Sequence, residues 1–553
     1  AGYEPPMKQA FQDYLKHNLK LDLPALNRRW NTRFKSWEEV SVPQPAFRLG
    51  KMPDLSMRWN DFSKFKFYLD TEGFFPEAVR RIRSYTDRHV IILYSAPQNN
   101  LSGAVDYFHN GGNAYLQNEG RYVEAWEKGR TGWISEPHDP TRWASSDDSE
   151  WNLDWTVYMA ILQAGGGGAN LHVYNYPRKR TIENHGFIYA YDRLRKYMPV
   201  LDELNGFVSA QEPARIGIFQ DPMTIACKHR TTFKPRMDDL ARFFELVKFS
   251  KLPFATAEKR NLSQLRLLVL NPLDEVMSQE NIHLIAEWIR NGGKAVMTAN
   301  TGKYSPEAGA SAPWPLLRAL GIAAPDSAYR TTGRNVTASV LRENPFFDKE
   351  KGIRFYTGTE FKRDLQSKEI KEQFWKFPYR WIPETDYFGY YPGHHPNGEV
   401  IAAFPDGGAA LSVHRSGKGE VLVFWGCPDY RPERMEGFIE RAARWAGIQN
   451  PYQGNPIVFM QEGKSSVSDR RYVLLYQDQP GSYRQKMLSI PDGEYFAEEL
   501  ISDRKLGKIR GETLRTKGIL LDFPKGASPL QILRFTPMEQ YKTKWSLNYP
   551  ELN

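Results

Sequence analysis

A chain of 553 residues, 41% hydrophobic, 25% charged and 14% aromatic, has the length of about three or four domains and enough apolar material for large cores. This composition excludes global disorder and fibrous or collagen-like chains, and no apolar run approaches the roughly 20 residues of a membrane-spanning helix. The net charge of +9 is a mild excess at this length; it suits a solvated basic surface and points to an anionic partner only where the cations cluster.

The first region, residues 1–205, is rich in aromatics and alternates helical with strand-like segments. Apolar spacing predicts helices over Met7–His17, Pro76–Tyr85, Trp151–Gln163 and His185–Leu204. The short runs Val90–Tyr94, Ala114–Gln117, Gly132–Ser135 and Ala169–Tyr174 predict strands. Strands alternating with helices indicate βα units and a parallel sheet. The second region, 206–449, continues this pattern with a strand at Arg215–Phe219, a helix at Met237–Phe249 and a strand at Leu265–Leu270. A helix at Ser278–Asn291 follows, closed by Gly292-Gly293, then a strand at Lys294–Thr298. The region ends in the runs Val400–Phe404, Ala409–His414 and Val421–Trp425 and the helix Pro432–Ala446. A doubly wound parallel sheet is expected. The third region, 450–553, has only strand-like runs, among them Tyr472–Tyr476, Gly518–Asp522 and Leu530–Phe535. Turns such as Pro491-Asp492-Gly493 separate them, and a small antiparallel sandwich is expected.

Glu136 directly follows one of the strand runs and precedes Pro137, His138 and Asp139. In a (β/α)8 barrel the catalytic groups sit at the C-terminal ends of the strands. The same local pattern also fits an ordinary capping or loop glutamate. Glu119, in Gln117-Asn118-Glu119-Gly120, ends the preceding run and has the same two readings. Paired carboxylates matter at such a rim because glycoside cleavage uses one to attack and one to protonate the leaving oxygen.

Aromatic residues crowd these strand ends. Trp133, Trp143 and Trp151 flank Glu136, Tyr94 closes the first run, and His172, Tyr174 and Tyr176 alternate in phase along the last. Sugar rings lay their C–H faces on flat aromatic rings, so a carbohydrate groove is one reading and an aromatic core the other. Arg178-Lys179-Arg180 follows at once. Three cations there suit sulfate or carboxylate groups on a polysaccharide, and a solvated loop is equally open. No nucleic-acid-binding motif accompanies them. The loop Gln220–Thr224 has no glycine to cradle a phosphate, and neither a P-loop nor a dinucleotide fingerprint occurs, so no cofactor is expected. Two cysteines, Cys227 and Cys427, are too few for a disulfide framework or a cysteine-rich zinc site, and no metal is expected.

Phe11-Gln12-Asp13-Tyr14-Leu15, Leu26-Asn27-Arg28-Arg29-Trp30 and Phe34-Lys35-Ser36-Trp37 together resemble a stretch of the family 42 glycoside hydrolases. In those β-galactosidases the stretch follows the fourth barrel strand. The runs Asn281–Gly293, Phe404-Pro405-Asp406-Gly407 and Ser416–Val421 are similar to their flavodoxin-like trimerisation domain, and the third region resembles their small C-terminal β-domain. The resemblance implies an α/β chain with the C-terminal half of a (β/α)8 barrel in 1–205, its strands five to eight beginning at Val90, Ala114, Gly132 and Ala169. It implies a flavodoxin-like oligomerisation domain in 206–449 and an antiparallel β-sandwich in 450–553.

The same resemblance implies a retaining glycoside hydrolase with Glu136 as nucleophile. Around it, substrate contacts are expected from Tyr94, Asn118, Glu119, Trp133, His138, Trp143, Tyr174, Tyr176, Arg178 and Arg180. The family's acid/base, an Asn-Glu ending the fourth strand, has no counterpart after Ala1, and Glu4, followed by two prolines, is a poor substitute. An upstream segment or companion chain completing the barrel is therefore expected, together with a homo-oligomer, a trimer by resemblance. The substrate expected is a β-galactoside. Tyrosines where family members tend to carry tryptophan, and the basic run, favour a galactose-containing anionic (sulfated) polysaccharide. The rival expectation is a non-catalytic carbohydrate-binding or assembly protein on a degenerate barrel. Neither nucleic acid nor a membrane is expected as partner, and the compartment, cytoplasm or bacterial exterior, stays open.

Overall fold

The computed structural model describes residues 5–43, 57–71, 73–85, 93–94, 107–111, 133–136, 169–171, 197, 199–200, 203–204, 207–209, 214–219, 221, 250–270, 275–305, 307, 312–326, 336–355, 389–429, 435, 437–450, 452, 458–465, 467–477, 480–525, 527–528 and 530–541. The chain divides into two compact units, each drawn from three stretches. Ala1–Ile82, Ile216–Leu240 and Ala257–Gly447 make the first, and Arg83–Arg215, Ala241–Thr256 and Ile448–Asn553 make the second.

Helices α1 (Pro5–His17), α2 (Leu23–Trp30) and α3 (Met57–Thr71) open the first unit. Asp22 starts α2 by accepting a 2.7 Å bond from the Ala25 amide, with Pro24 in the first turn, and Asn31 ends it in the left-handed region. Their apolar faces meet in one cluster of Phe11, Leu15, Leu26, Val40, Phe62 and Phe65. The rings of Phe11 and Phe62 meet edge to face at 5.3 Å, the arrangement that aromatic quadrupoles favour. Helix α4 (Phe74–Ser84) follows, close to the span that its apolar spacing predicts.

Within the second unit, four strands form an all-parallel sheet in the order β1-β2-β3-β4. These are β1 (Leu93–Tyr94), β2 (Tyr107–Gly111), β3 (Trp133–Glu136) and β4 (Ala169–Leu171). One correction arises here. The strand beside β3 is Tyr107–Gly111, whereas Ala114–Gln117 lies outside the described residues. Its aromatic and polar residues lack the simple apolar run by which strands are recognised in sequence. The predicted helices Trp151–Gln163 and Met237–Phe249 also fall outside the described residues.

The first unit continues with strand β6 (Ile216–Phe219); the strands on either side of it in the chain, β5 (Phe207–Ser209) and β7 (Phe254–Thr256), belong to the second unit. Next come β8 (Leu267–Leu270), β9 (Lys294–Thr298), β10 (Val336–Val340) and β11 (Ile353–Phe355). The series closes with β12 (Glu399–Ala403), β13 (Ala409–Ser416) and β14 (Gly419–Phe424). Eight of these make one sheet of the first unit in the order β11-β10-β12-β13-β14-β9-β8-β6. Strands β6, β8, β9 and β14 run parallel, and β6 and β8 are buried at every position, as their unbroken apolar runs require.

The other four strands are antiparallel, so the sheet is mixed rather than purely doubly wound. The reason is connection length. Gly417-Lys418 alone joins β13 to β14, and a two-residue turn can only reverse the chain. Gly417 sits at φ +61, where an added Cβ would meet the Arg290 backbone. The helix Gln279–Arg290 lies nearby, capped by the Ser278 hydroxyl and burying Ile282, Ile285, Ala286 and Ile289 on one stripe.

The C-terminal part of the second unit contains β15 (Phe459–Ser465), β16 (Arg471–Tyr476), β17 (Gly481–Gln485), β18 (Glu494–Glu499), β19 (Arg504–Arg510), β20 (Ile519–Phe523) and β21 (Leu530–Pro537). Six strands form an antiparallel sheet ordered β19-β18-β21-β16-β15-β5, and β17 pairs with β20 in a two-stranded ribbon. Ile519, Leu521 and Phe523 alternate inward from β20 and join Val473, Leu475, Leu533 and Phe535 in one core. The strand β5 is a second correction. A boundary at 205/206 assigns it to the middle region, but it pairs with β15 and closes the edge of the C-terminal sheet. The short helix Gly511–Thr516 is an addition to the strand-only reading.

Candidate active site

Glu136 is the last residue of β3, at the C-terminal end of a strand with a parallel neighbour on each side. In parallel α/β sheets this end gathers the loops and is where ligands bind. The register is specific. Gly111 lies opposite Glu136, His109 opposite Ile134, and Ile134 opposite Asn170 on the other side. Residues two apart in a strand share a face, and so do residues paired across strands. Glu136, Gly111, Ile134, His109 and Asn170 therefore occupy one face. Trp133, Phe108, Tyr94 and Ala169 occupy the other.

That register divides the sequence-derived candidates. Glu136 stands at the strand end. Tyr94 and Trp133 are described, but both lie on the face opposite Glu136, which removes the basis for grouping them with it as one sugar platform. Asn118, Glu119, His138, Trp143, Tyr174, Tyr176, Arg178 and Arg180 lie outside the described residues. The same register places His109 and Asn170 on the face of Glu136, and neither is among the sequence-derived candidates. Asn170 was within reach, being in phase with His172, Tyr174 and Tyr176 along its strand. His109 was not, because the strand that carries it went unrecognised.

The strand ends of the larger sheet offer a second carboxylate, Asp221, which is 1% exposed. Its Oδ2 accepts from the Ser278 amide at 2.9 Å, the Ser278 hydroxyl at 3.3 Å and Asn281 Nδ2 at 2.9 Å. It is thereby tied to the start of the helix Gln279–Arg290. Beyond β9, Tyr391 donates to Asn300 Oδ1 at 2.5 Å, and burial pushes its phenol well above the ordinary range. These groups organise loops. Among the described residues no three His, Cys, Asp or Glu side chains gather as a metal site, and no helix is long and apolar enough to cross a membrane.

Comparison with known proteins bears on the same region. Residues 1–182, which include Glu136, match the family model Glyco_hydro_42, described as beta-galactosidase. The chain is similar in structure to the β-galactosidase from Bacillus circulans sp. alkalophilus, with a TM-score of 0.65 at 13% identity over 97% of this chain and 77% of that one. It is similar to the cold-adapted β-galactosidase from Rahnella sp. R3, with a TM-score of 0.64 at 14% identity over 96% and 76%. For the β-galactosidase from the haloarchaeon Halorubrum lacusprofundi the TM-score is 0.58 at 14% identity over 96% and 76%. At these identities the likeness is one of fold. No curated protein sequence matches the chain.

Proposed function

We propose that this chain, a glycoside hydrolase related to family 42 through its first 182 residues, is a retaining enzyme acting on β-galactosides with Glu136 as its nucleophile. The observation that carries this reading is the position of Glu136 at the C-terminal end of a strand inside a parallel sheet, within the matched stretch. In the proposed reaction the Glu136 carboxylate attacks the anomeric carbon as the bond to the leaving oxygen breaks, and a second carboxylic acid protonates that oxygen. The resulting glycosyl ester is then hydrolysed by a water whose proton returns to the second carboxylate. Retention requires the two carboxyl groups about 5–5.5 Å apart. The resemblance gives the second role to an Asn-Glu at the end of the family's fourth barrel strand.

For the substrate, the run Arg178-Lys179-Arg180 supports a galactose-containing anionic polysaccharide. Guanidinium and ammonium groups recognise sulfate or carboxylate through charge-assisted hydrogen bonds. The larger mixed sheet serves as an oligomerisation domain in this reading, with a trimer as the assembly.

Glu136→Gln tests the central claim, since it keeps size and hydrogen-bonding capacity while removing the nucleophile. Turnover of an aryl β-galactoside is expected to fall by several orders of magnitude, about 10⁴-fold or more, with the circular-dichroism spectrum unchanged. Near wild-type turnover in this variant ends the assignment.

A further inference from the structure

Two buried histidines lie against one indole at the end of β14. A loop, residues 389–398, is fastened over this point. Tyr391 N donates to Trp425 O at 3.1 Å, Cys427 N to Gly389 O at 3.1 Å and Ala409 N to His394 O at 2.8 Å. Asn397 ties the loop to a neighbouring segment, accepting from the Ala323 amide at 3.0 Å and donating to Gly321 O at 2.9 Å. His394, 3% exposed, rides on the loop with its ring 4.2 Å from that of Trp425. His414 of β13 meets the same indole edge to face at 6.0 Å. Gly398, at the far end of the loop, lies so close to His414 that an added Cβ would collide with its ring.

The closed loop has no good place for a second proton on either imidazole. His394 Nε2 is out of solvent and without a hydrogen-bond partner. Its Nδ1 is 3.8 Å from Asp326, a carboxylate 90% exposed and therefore screened by water. His414 Nε2 accepts the hydroxyl proton of Ser412, whose oxygen is occupied by the Trp425 indole N–H. A proton on Nε2 takes away that acceptor and strands the hydroxyl hydrogen. The other charged or titratable groups around the loop, among the described residues, offer no relief. His395 shares the loop, and its charge opposes one on His394. Asp406 holds the Gly408 amide, Glu399 pairs with Arg342, and Arg415 is 88% exposed on the opposite face of β13. Burial holds both rings neutral, His414 down to about 4, and a charge on His394 further opposes one on His414.

We infer that the loop 389–398 is a proton-operated latch: uptake of two protons, one at His394 and one at His414, releases it from Trp425 while the sheet beneath stays folded. Two imidazolium ions do not share this dry site, whereas in the opened loop each ring regains water and its ordinary affinity for a proton. Opening and the uptake of both protons are thus one event, a local unfolding driven by acid.

Hydrogen exchange read by mass spectrometry on the whole protein tests this, with rates corrected for the intrinsic pH dependence of exchange. Between pH 6.5 and 4 the protection of the Tyr391, Ala409 and Cys427 amides should fall by an amount approaching 100-fold per pH unit, the slope of a two-proton event. The amides of β8 and β9 should keep their protection over the same range. His394→Gln and His414→Gln should each reduce the slope to about tenfold per pH unit, and the double substitution should abolish it. His395→Gln, at an exposed position, should leave the two-proton slope in place. Protection lost from the loop and from β8 and β9 together overturns the latch, since the histidines would then only sensitise the whole fold to acid. The native protein gives that answer by itself if a variant fails to fold. A slope that survives in the double variant overturns the latch as well, and so does a one-proton slope in the native protein.

Discussion

Both carboxylate oxygens of Asp61 accept from Arg29, Oδ2 from Nε and Oδ1 from Nη2, each at 2.8 Å, while the aspartate side chain is wholly out of solvent. Trp30 Nε1 donates to the same Oδ2 at 2.8 Å, so one side chain of α3 clips two consecutive residues of α2. Fork-to-fork pairing is the strongest geometry available to this pair of groups. Arg29 keeps about a third of its surface in water, and this limits the desolvation cost.

Asp61→Asn should therefore destabilise the helical cluster by about 2–4 kcal/mol, because it strands a half-buried guanidinium and weakens the tryptophan bond. Arg29→Ala should cost a similar amount by leaving a buried carboxylate with one donor. The double substitution should cost less than the two single ones added, with a coupling of about 1 kcal/mol or more. Urea unfolding followed by tryptophan fluorescence measures all three, and additive effects would show that the pair does not act as a unit.

A second expectation concerns acid. Ser412 Oγ accepts from Trp425 Nε1 at 2.7 Å and lies 2.8 Å from His414 Nε2, so the serine proton is directed at the imidazole, which accepts it in the neutral form. Burial, with the His394 ring nearby, lowers His414 to about 4. His394 is lowered as well, by burial, although exposed Asp326 at 3.8 Å opposes the shift. A histidine depressed in the fold takes up its proton first in the unfolded chain. Its contribution is thus intact above about pH 6.5 and is lost as pH falls toward 4. The loss attributable to His414 over that window is on the order of 3 kcal/mol. His414→Gln should flatten the dependence of the unfolding midpoint between pH 6.5 and 4. A slope equally steep in the variant would assign the acid sensitivity elsewhere.

Glu203 supports the C-terminal sheet from outside it. Its Oε1 accepts from Tyr472 Oη at 2.7 Å and Arg470 Nη1 at 2.6 Å, and lies 3.1 Å from Arg534 Nη1. Burial alone would raise this carboxyl, but the tyrosine bond and the charges of Arg534 and Arg470 hold it below its ordinary range. Glu203→Ala should cost about 1–3 kcal/mol by leaving buried Tyr472 without its acceptor, and Tyr472→Phe should cost less, about 1 kcal/mol. Thermal unfolding that ranks Tyr472→Phe as the more damaging change would contradict this account.

The basic run makes a prediction about selectivity. A charge-assisted contact to sulfate is worth roughly 1.5–3 kcal/mol. Replacing Arg178 and Arg180 by Gln should slow cleavage of a sulfated galactan by about two orders of magnitude or more. The same change should leave a neutral aryl galactoside nearly unaffected. Added salt should reproduce part of the loss, since exposed charges are screened over about 8–10 Å. Equal effects on both substrates, or none, would remove the case for an anionic substrate.

The elements most legible in the sequence were those with strong local signals. The helix that begins at Ser278 and the strand runs of β8 and β9 lie where their patterns place them. Residues whose meaning depends on distant chain were not legible. Asp61 reads as the polar side of a helix until Arg29 and Trp30 are brought against it. Phe207-Val208-Ser209 is too short to declare a strand, and only its pairing with Gly463, Lys464 and Ser465 makes it one. The exclusion of Trp133 from the face of Glu136 follows from parity along β3, and the addition of His109 follows from the register of β2, a strand hidden in aromatic and polar residues.

The pairing of β5 with β15 also sets a timetable. Residues 207–209 leave the ribosome long before 459–465 exist, so the edge they complete stays open through most of the chain's synthesis. Unpaired strand edges are where nascent chains associate wrongly. Here the exposed piece is three residues long, and it carries a single large apolar side chain, Phe207, which is 1% exposed once the sheet has closed. A brief, nearly featureless edge is a poor template for another chain, so the sheet can wait for its last-made strands at small risk.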